Sequence, residues 1–317
     1  MRRSAVIKAA VTAILLSILL WRTDFGAIAA SLRELRFGSW LLNFVLFLGA
    51  WTLAAVKWKV LLRDQPFATL LKLNFIGQYY GMLLPGQIAG EAVKAYRLGK
   101  GKVDADRIAA SVIIDRITSS LGLLLIALYG ISLSGTQMKK QILLTLLGAV
   151  LVLLFGLFSF HLPGWSRLLN AAERRLPRFA RLVGQVRRLL DAWKSYVETP
   201  ALMLLSILLG ALFQLIAVWI NFRIGRDLGL NISFADWCWV FGVVSIVVTL
   251  PFTVAGLGLR EGSFLGALAL LGVAPERAIA HSFALFSLLL AGAIVGAACE
   301  WSRRLTLPNA TAMDSQK

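Results

Sequence analysis

Residues 73–90 read LNFIGQYYGMLLPGQIAG, eighteen residues without a charge but interrupted by Gly77, Gln78, Gly81, Pro85, Gly86 and Gln87. An uncharged run of this length is long enough to cross the roughly 30 Å of a bilayer's hydrocarbon as a helix. Proline removes a backbone donor and clashes with the preceding turn, so a straight helix breaks there. The freed backbone groups are tolerated at membrane depth only where protein or a water-filled cavity surrounds them. The stretch therefore predicts a helix that enters a bilayer, breaks and turns back. A second stretch of the same kind runs from Cys238 to Leu259, uncharged and broken by Pro251, Gly256 and Gly258.

Outward from these two landmarks, continuous apolar runs predict six full spans, at roughly 4–21, 40–62, 108–132, 141–161, 201–222 and 278–300. The second of them reaches Leu62 if Lys57 and Lys59 snorkel their ammonium groups to the interface. The first resembles a signal peptide in its Arg2-Arg3 start and in the small residues Ala27 to Ala30. Arg22 and Asp24 separate its apolar core from that site, which favours an uncleaved anchor. Composition agrees, with 58% hydrophobic residues and a mean hydropathy of +0.77, where soluble domains have about 45–50% apolar residues. The fold class is thus an all-α polytopic membrane bundle. It is one integral domain over 1–302, with halves 1–161 and 200–302 joined by a basic segment 162–199, and a tail 303–317.

The net charge of +17 would point to nucleic acid in a soluble protein. Here the basic residues flank apolar runs and act as topology signals and headgroup contacts, so nucleic acid is excluded as a partner. Of the 33 Lys and Arg, 23 fall on the side that carries both termini and 9 on the other, with Arg116 inside a span. The positive-inside rule then places both termini in the cytoplasm. The first broken stretch enters from the cytoplasm and the second from outside, the pattern of an inverted repeat around a central site. The offset is 166 residues from Pro85 to Pro251 and 170 from Glu91 to Glu261.

The segment from Trp165 to Thr199 alternates apolar residues with arginines. It reads either as an amphipathic helix on an anionic leaflet or as a basic cytoplasmic connector. Cys238, Cys299, His161 and His281 are isolated, with no metal-ligand spacing. Neither a metal nor a cofactor is expected, and no phosphate-binding loop of the nucleotide type is present.

Three constellations can carry chemistry. After the break at Pro85-Gly86, a new helix holds Glu91 in its first turns, Lys94 three residues on and therefore on the same side, and then Arg97. Gly86 and Gly90 permit close backbone approach, and a helix N-terminus facing a cavity favours anions. The second break is followed by Gly256, Gly258 and the pair Arg260-Glu261. Asp115 and Arg116 lie two turns into a span that begins near Ile108, where charges usually face a partner or a cavity. In this reading Lys94, Arg97, Arg116 and Arg260 attract an anionic headgroup. Glu91, Asp115 and Glu261 position them, and Tyr79, Tyr80 and Gln87 add neutral hydrogen bonds. A simple surface ion pair remains the alternative for Glu91 and Lys94, and interfacial snorkelling for Asp115 and Arg116. Asp104-x-Asp106 is the short pattern that holds a metal-nucleotide in some transferases, and it lies in a polar connector.

These residues resemble the membrane region of lysylphosphatidylglycerol synthases, the flippase-like domain family. The resemblance rests on Pro85…Gly90-Glu91-x-x-Lys94, Asp115-Arg116 and Pro251…Gly256-x-Gly258-x-Arg260-Glu261, and it covers residues 5 to 300. It implies a multi-pass protein of the bacterial inner membrane that handles lipids, with anionic lipids as the expected partners. Only 16 residues follow Trp301, so a stand-alone member without the soluble aminoacyl-transfer domain is expected, more a translocator than an enzyme. Two alternatives stay open: a membrane-embedded transferase or accessory subunit of a glycolipid or isoprenoid-lipid pathway, and a scaffold for a separately encoded lipid-modifying enzyme.

Overall fold

A computed structural model describes residues 25–84, 88–100, 104–159, 164–175, 180–249, 253 and 256–305. The predicted first span at 4–21 lies outside the described residues, as do Pro85, Gly86, Gln87 and Pro251. The described residues form twelve helices and no strand. In chain order they are α1 (Phe25–Arg33), α2 (Phe37–Leu61), α3 (Phe67–Leu83), α4 (Ile88–Gly99), α5 (Ala105–Leu133) and α6 (Lys139–Phe158). There follow α7 (Gly164–Arg175), α8 (Ala180–Val197), α9 (Pro200–Asp227), α10 (Phe234–Thr249), α11 (Leu259–Ala269) and α12 (Pro275–Leu305).

Five of these are long and apolar enough to cross a membrane: α2, α5, α6, α9 and, over Pro275–Ser302, α12. They coincide with the predicted spans after the first, and the chain is a multi-pass helical membrane protein. The two broken stretches are pairs of shorter helices, of 17 and 12 residues for α3 and α4 and of 16 and 11 for α10 and α11. At 1.5 Å per residue the longest of the four reaches only about 25 Å, short of the hydrocarbon thickness.

Local chemistry sets the ends of these helices. Leu84, which precedes Pro85 in the sequence, is extended (φ −92°, ψ 148°), the region into which a following proline drives its neighbour. Pro200 opens α9 behind Thr199, the first-turn position where a missing N–H costs nothing. Before α11 the chain turns through Gly256 (φ 74°) and Gly258 (φ 84°), left-handed conformations that a Cβ would penalise.

The helices pack reciprocally. α3 lies against α12 and α10 against α5; α4 packs on α5 and α11 on α12; α1 packs on α12 and α8 on α5; α2 and α9 face each other. Exchanging α1–α5 with α8–α12 maps this set of neighbours onto itself. In chain order α6 and α7 lie between the two units that this exchange relates.

Small residues permit the tightest approaches, as is usual between membrane helices. Gly90 of α4 lies directly on the backbone of Gly77 in α3, and Gly296 of α12 on that of Phe75.

α8 differs from the leaflet-bound helix that its pattern suggests. Val183, Leu190, Trp193 and Tyr196 are buried, and Trp193 and Tyr196 cluster with Leu61, Ala110, Ile114 and Leu157. Trp193 Nε1 donates to the Leu157 carbonyl at 3.0 Å, and the Tyr196 hydroxyl to that of Leu61 at 3.1 Å. Protein covers these four residues while Val186 stays exposed, so periodicity reported a buried stripe but not what buries it.

Candidate functional site

Between the two units lies a cavity of about 600 Å³, walled by residues of α2–α6 and α9–α12. Most of the wall is apolar, including Trp51, Leu123, Phe213 and Leu289. It extends to Val152 of α6, whose side chain is 69% exposed on the surface of an apolar span. The cavity thus reaches the face of the bundle that would contact lipid.

Six charged side chains line it: Lys57, Glu91, Lys94, Asp115, Arg116 and Arg260. Charge taken out of water must be paired to be tolerable, and five of the six are ion-paired. Lys94 (4% exposed) stands 2.7 Å from the Glu91 carboxylate and donates to Asn74 Oδ1 at 3.1 Å. Its ammonium also lies 5.0 Å from the centre of the Trp58 ring, a favourable approach to the ring face.

Lys57 does not snorkel. It is 1% exposed, 3.2 Å from Asp115 Oδ1, and donates to the Asp115 carbonyl at 2.6 Å and to the Ser119 hydroxyl. The absence of a side chain at Gly210 leaves room for its ammonium: a Cβ there would stand 3.2 Å from Nζ. Lys59 instead reaches the carbonyls of Arg63 and Gln65 beyond the helix end.

In the second unit Arg260 (4% exposed) forks onto Glu261 (0% exposed). Nη2 lies 2.6 Å and Nε 3.1 Å from Glu261 Oε1. Ser282 bridges the two side chains, and the Phe286 ring lies 4.7 Å from the guanidinium. The other Glu261 oxygen accepts the Gly258 N–H at 2.6 Å. This is half of a capping box, since Gly258 has no side chain to return the bond.

Arg116 is the exception. α5 begins at Ala105, so Arg116 sits three turns into a span rather than two. It lines the cavity with no hydrogen bond or ion pair among the described residues.

The wall thus brings together Glu91, Lys94, Asp115, Arg116 and Arg260 from both units. It does not include Tyr79, Tyr80, Arg97 or Glu261. Arg97 Nη2 donates to Tyr80 at 3.0 Å and to Glu300 at 2.9 Å, which ties α4 to α12. Tyr79 meets the Tyr80 ring edge-on at 5.0 Å. Glu261 acts through Arg260 and the Gly258 N–H. Asp106 of the Asp-x-Asp pattern pairs with Arg188 of α8 at 2.6 Å. No group of three or more His, Cys, Asp or Glu that could hold a metal occurs among the described residues.

Sequence reasoning missed Lys57, Asn74, Gln78 and Asn221 as cavity residues. Each is a polar or charged residue within an apolar helix, which is itself the signal for a residue facing protein or a cavity.

Neither a curated protein nor a solved structure matches the chain. The pattern described as "Lysylphosphatidylglycerol synthase TM region" matches residues 5–296. That interval contains both broken elements and every charged residue of the cavity, and by it the chain belongs to the lysylphosphatidylglycerol synthase transmembrane-region family.

Proposed function

We propose that the chain is a lipid translocator of the bacterial inner membrane, with both termini cytoplasmic, and that its cargo is an anionic phospholipid or a lipid-linked phosphate. The observation that carries this reading is the cavity: charged side chains from both units face one apolar-walled space that reaches the lipid-facing surface at Val152. Such a space matches an amphiphile, with the headgroup among the charges and the acyl chains along apolar walls or out in the bilayer. Two inverted units around a midplane site also suit alternating exposure to the two leaflets. Lys94, Arg116 and Arg260 attract the phosphate, while Glu91 and Asp115 hold two of the cavity's ammonium groups in place.

Reconstitution into vesicles with a fluorescent anionic phospholipid tests the reading. Wild-type protein should accelerate exchange between leaflets, and Glu91→Gln and Lys94→Gln should each lose that acceleration by about tenfold or more while inserting normally. Wild-type rates in both variants would falsify the assignment.

A further inference from the structure

The charges of the cavity do not cancel. Lys94 is matched by Glu91 at 2.7 Å, Lys57 by Asp115 at 3.2 Å and Arg260 by Glu261 at 2.6 Å. Three cations thus meet three carboxylates, and Arg116 is left with no partner among the described residues. The rest of the wall supplies neutral polar groups, such as Gln78, Ser119 and Gln214, and apolar surface. We infer that the cavity selects a lipid whose headgroup carries one net negative charge, a phosphodiester with a neutral polar substituent, and that Arg116 is the residue that reads this charge. The inference rests on the translocator reading and narrows its substrate class.

The physical reason is the cost of unbalanced charge in a low-dielectric site. A monoanionic diester brings the site to neutrality, and its two non-bridging oxygens suit the planar fork of one guanidinium. A zwitterionic headgroup contributes no net charge and leaves the positive remainder in place. A diphosphate brings two or more negative charges against one, and the other cations of the wall are already held by carboxylates. The neutral donors suit hydroxyls on the substituent.

Lipids with identical dioleoyl chains isolate the headgroup: phosphatidylglycerol (one negative charge), phosphatidylcholine (zwitterionic) and dioleoylglycerol diphosphate. Binding of an equimolar mixture to the detergent-solubilised full chain is read by native mass spectrometry. The wild type should retain phosphatidylglycerol about tenfold over each of the others. Arg116→Gln should erase the preference over phosphatidylcholine. So should Gln78→Glu, which leaves Arg116 in place and adds one compensating carboxylate to the wall. The second variant keeps the test open if the first does not fold. Tighter retention of the diphosphate lipid by the wild type would overturn the single-charge inference and leave the anionic-lipid reading standing. Equal retention of all three lipids would overturn both. Displacement of phosphatidylglycerol by an equal concentration of water-soluble glycerophosphoglycerol would overturn the lipid as the source of the phosphodiester. An unchanged preference in both variants would remove Arg116 and the charge balance from the account.

Discussion

The two broken elements are copies of one device put to different use. After the first break, Glu91 and Lys94 lie one turn apart on α4, and the Glu91 side chain keeps 20% of its surface open. After the second, Glu261 is closed to solvent entirely. One of its oxygens caps the turn at Gly258, while the other holds Arg260 and accepts from Ser282. The carboxylate of the first unit faces the cavity, whereas that of the second secures the helix start and the arginine beside it. A repeat fixes where a charged pair sits along the chain. The side chains packed around it then decide whether the pair is available to a ligand.

The largest effect that separates the two copies is on stability. Removing one partner of a buried, hydrogen-bonded pair leaves an uncompensated charge and costs roughly 3–5 kcal/mol. Glu261→Gln should therefore lower the thermal unfolding midpoint in detergent severely. Glu91→Gln should cost less, about 1–2 kcal/mol, because Asn74 and Trp58 still hold Lys94. Equal losses in the two variants would break the comparison.

The adjacent glycines sharpen it on a smaller scale. A Cβ on Gly90 would run into the backbone of Gly77, whereas nothing lies within 4 Å of one on Gly262. Gly90→Ala should destabilise by about 1–3 kcal/mol through overpacking. Gly262→Ala should be neutral or stabilise by up to about 1 kcal/mol, through the higher helix propensity of alanine. The same unfolding measurement reads both, and a well-folded Gly90→Ala variant would mean that α3 and α4 do not need this close approach.

The smallest effect belongs to a pair that lies outside the cavity. Asp64 and Arg107 pair at 3.2 Å with about half of each side chain exposed. The Asp64 carboxyl is held below the ordinary carboxylate range, first by a bond to its own backbone and to a lesser degree by Arg107, against a small opposing effect of burial. Its folded-state value is the lower one, so its contribution is fully present above the unfolded value near 4 and is lost as the pH falls through the folded one. Arg107→Ala should cost below about 1 kcal/mol at neutral pH and still less in acid. A loss as large as that of Glu91→Gln would show that this exposed pair, not the cavity, anchors the first unit.

Much of the architecture was legible in advance because the bilayer restricts the alternatives so strongly. An uncharged run of sufficient length has to be a spanning helix, and a proline within one has to break it. Five spans, both breaks and the twofold arrangement follow from this. Local spacing also put Glu91 beside Lys94, since residues three apart share a helix face. Long-range partners were not legible. Arg97 has the same local credentials as Lys94, yet it turns to Glu300, which lies 203 residues further along the chain. Lys57 sits four residues from the end of α2, where snorkelling is the ordinary outcome. It is instead enclosed by Asp115, Ser119 and the gap at Gly210.

Apolar length, helix breaks and the order of charges along the chain therefore specify a multi-pass bundle with two broken elements and nominate charged residues that line its cavity. These are properties of single segments in a bilayer, and each segment carries its own signal. Which charges are cancelled, which one remains, and which face of α8 is covered depend on contacts between helices far apart in sequence. The pairing of Lys57 with Asp115, the closure around Glu261 and the lack of a partner for Arg116 among the described residues arise when α2, α5, α9 and α12 pack together. Neutralising charge in a low-dielectric interior depends on distances of a few ångströms, and those exist only in the assembled bundle.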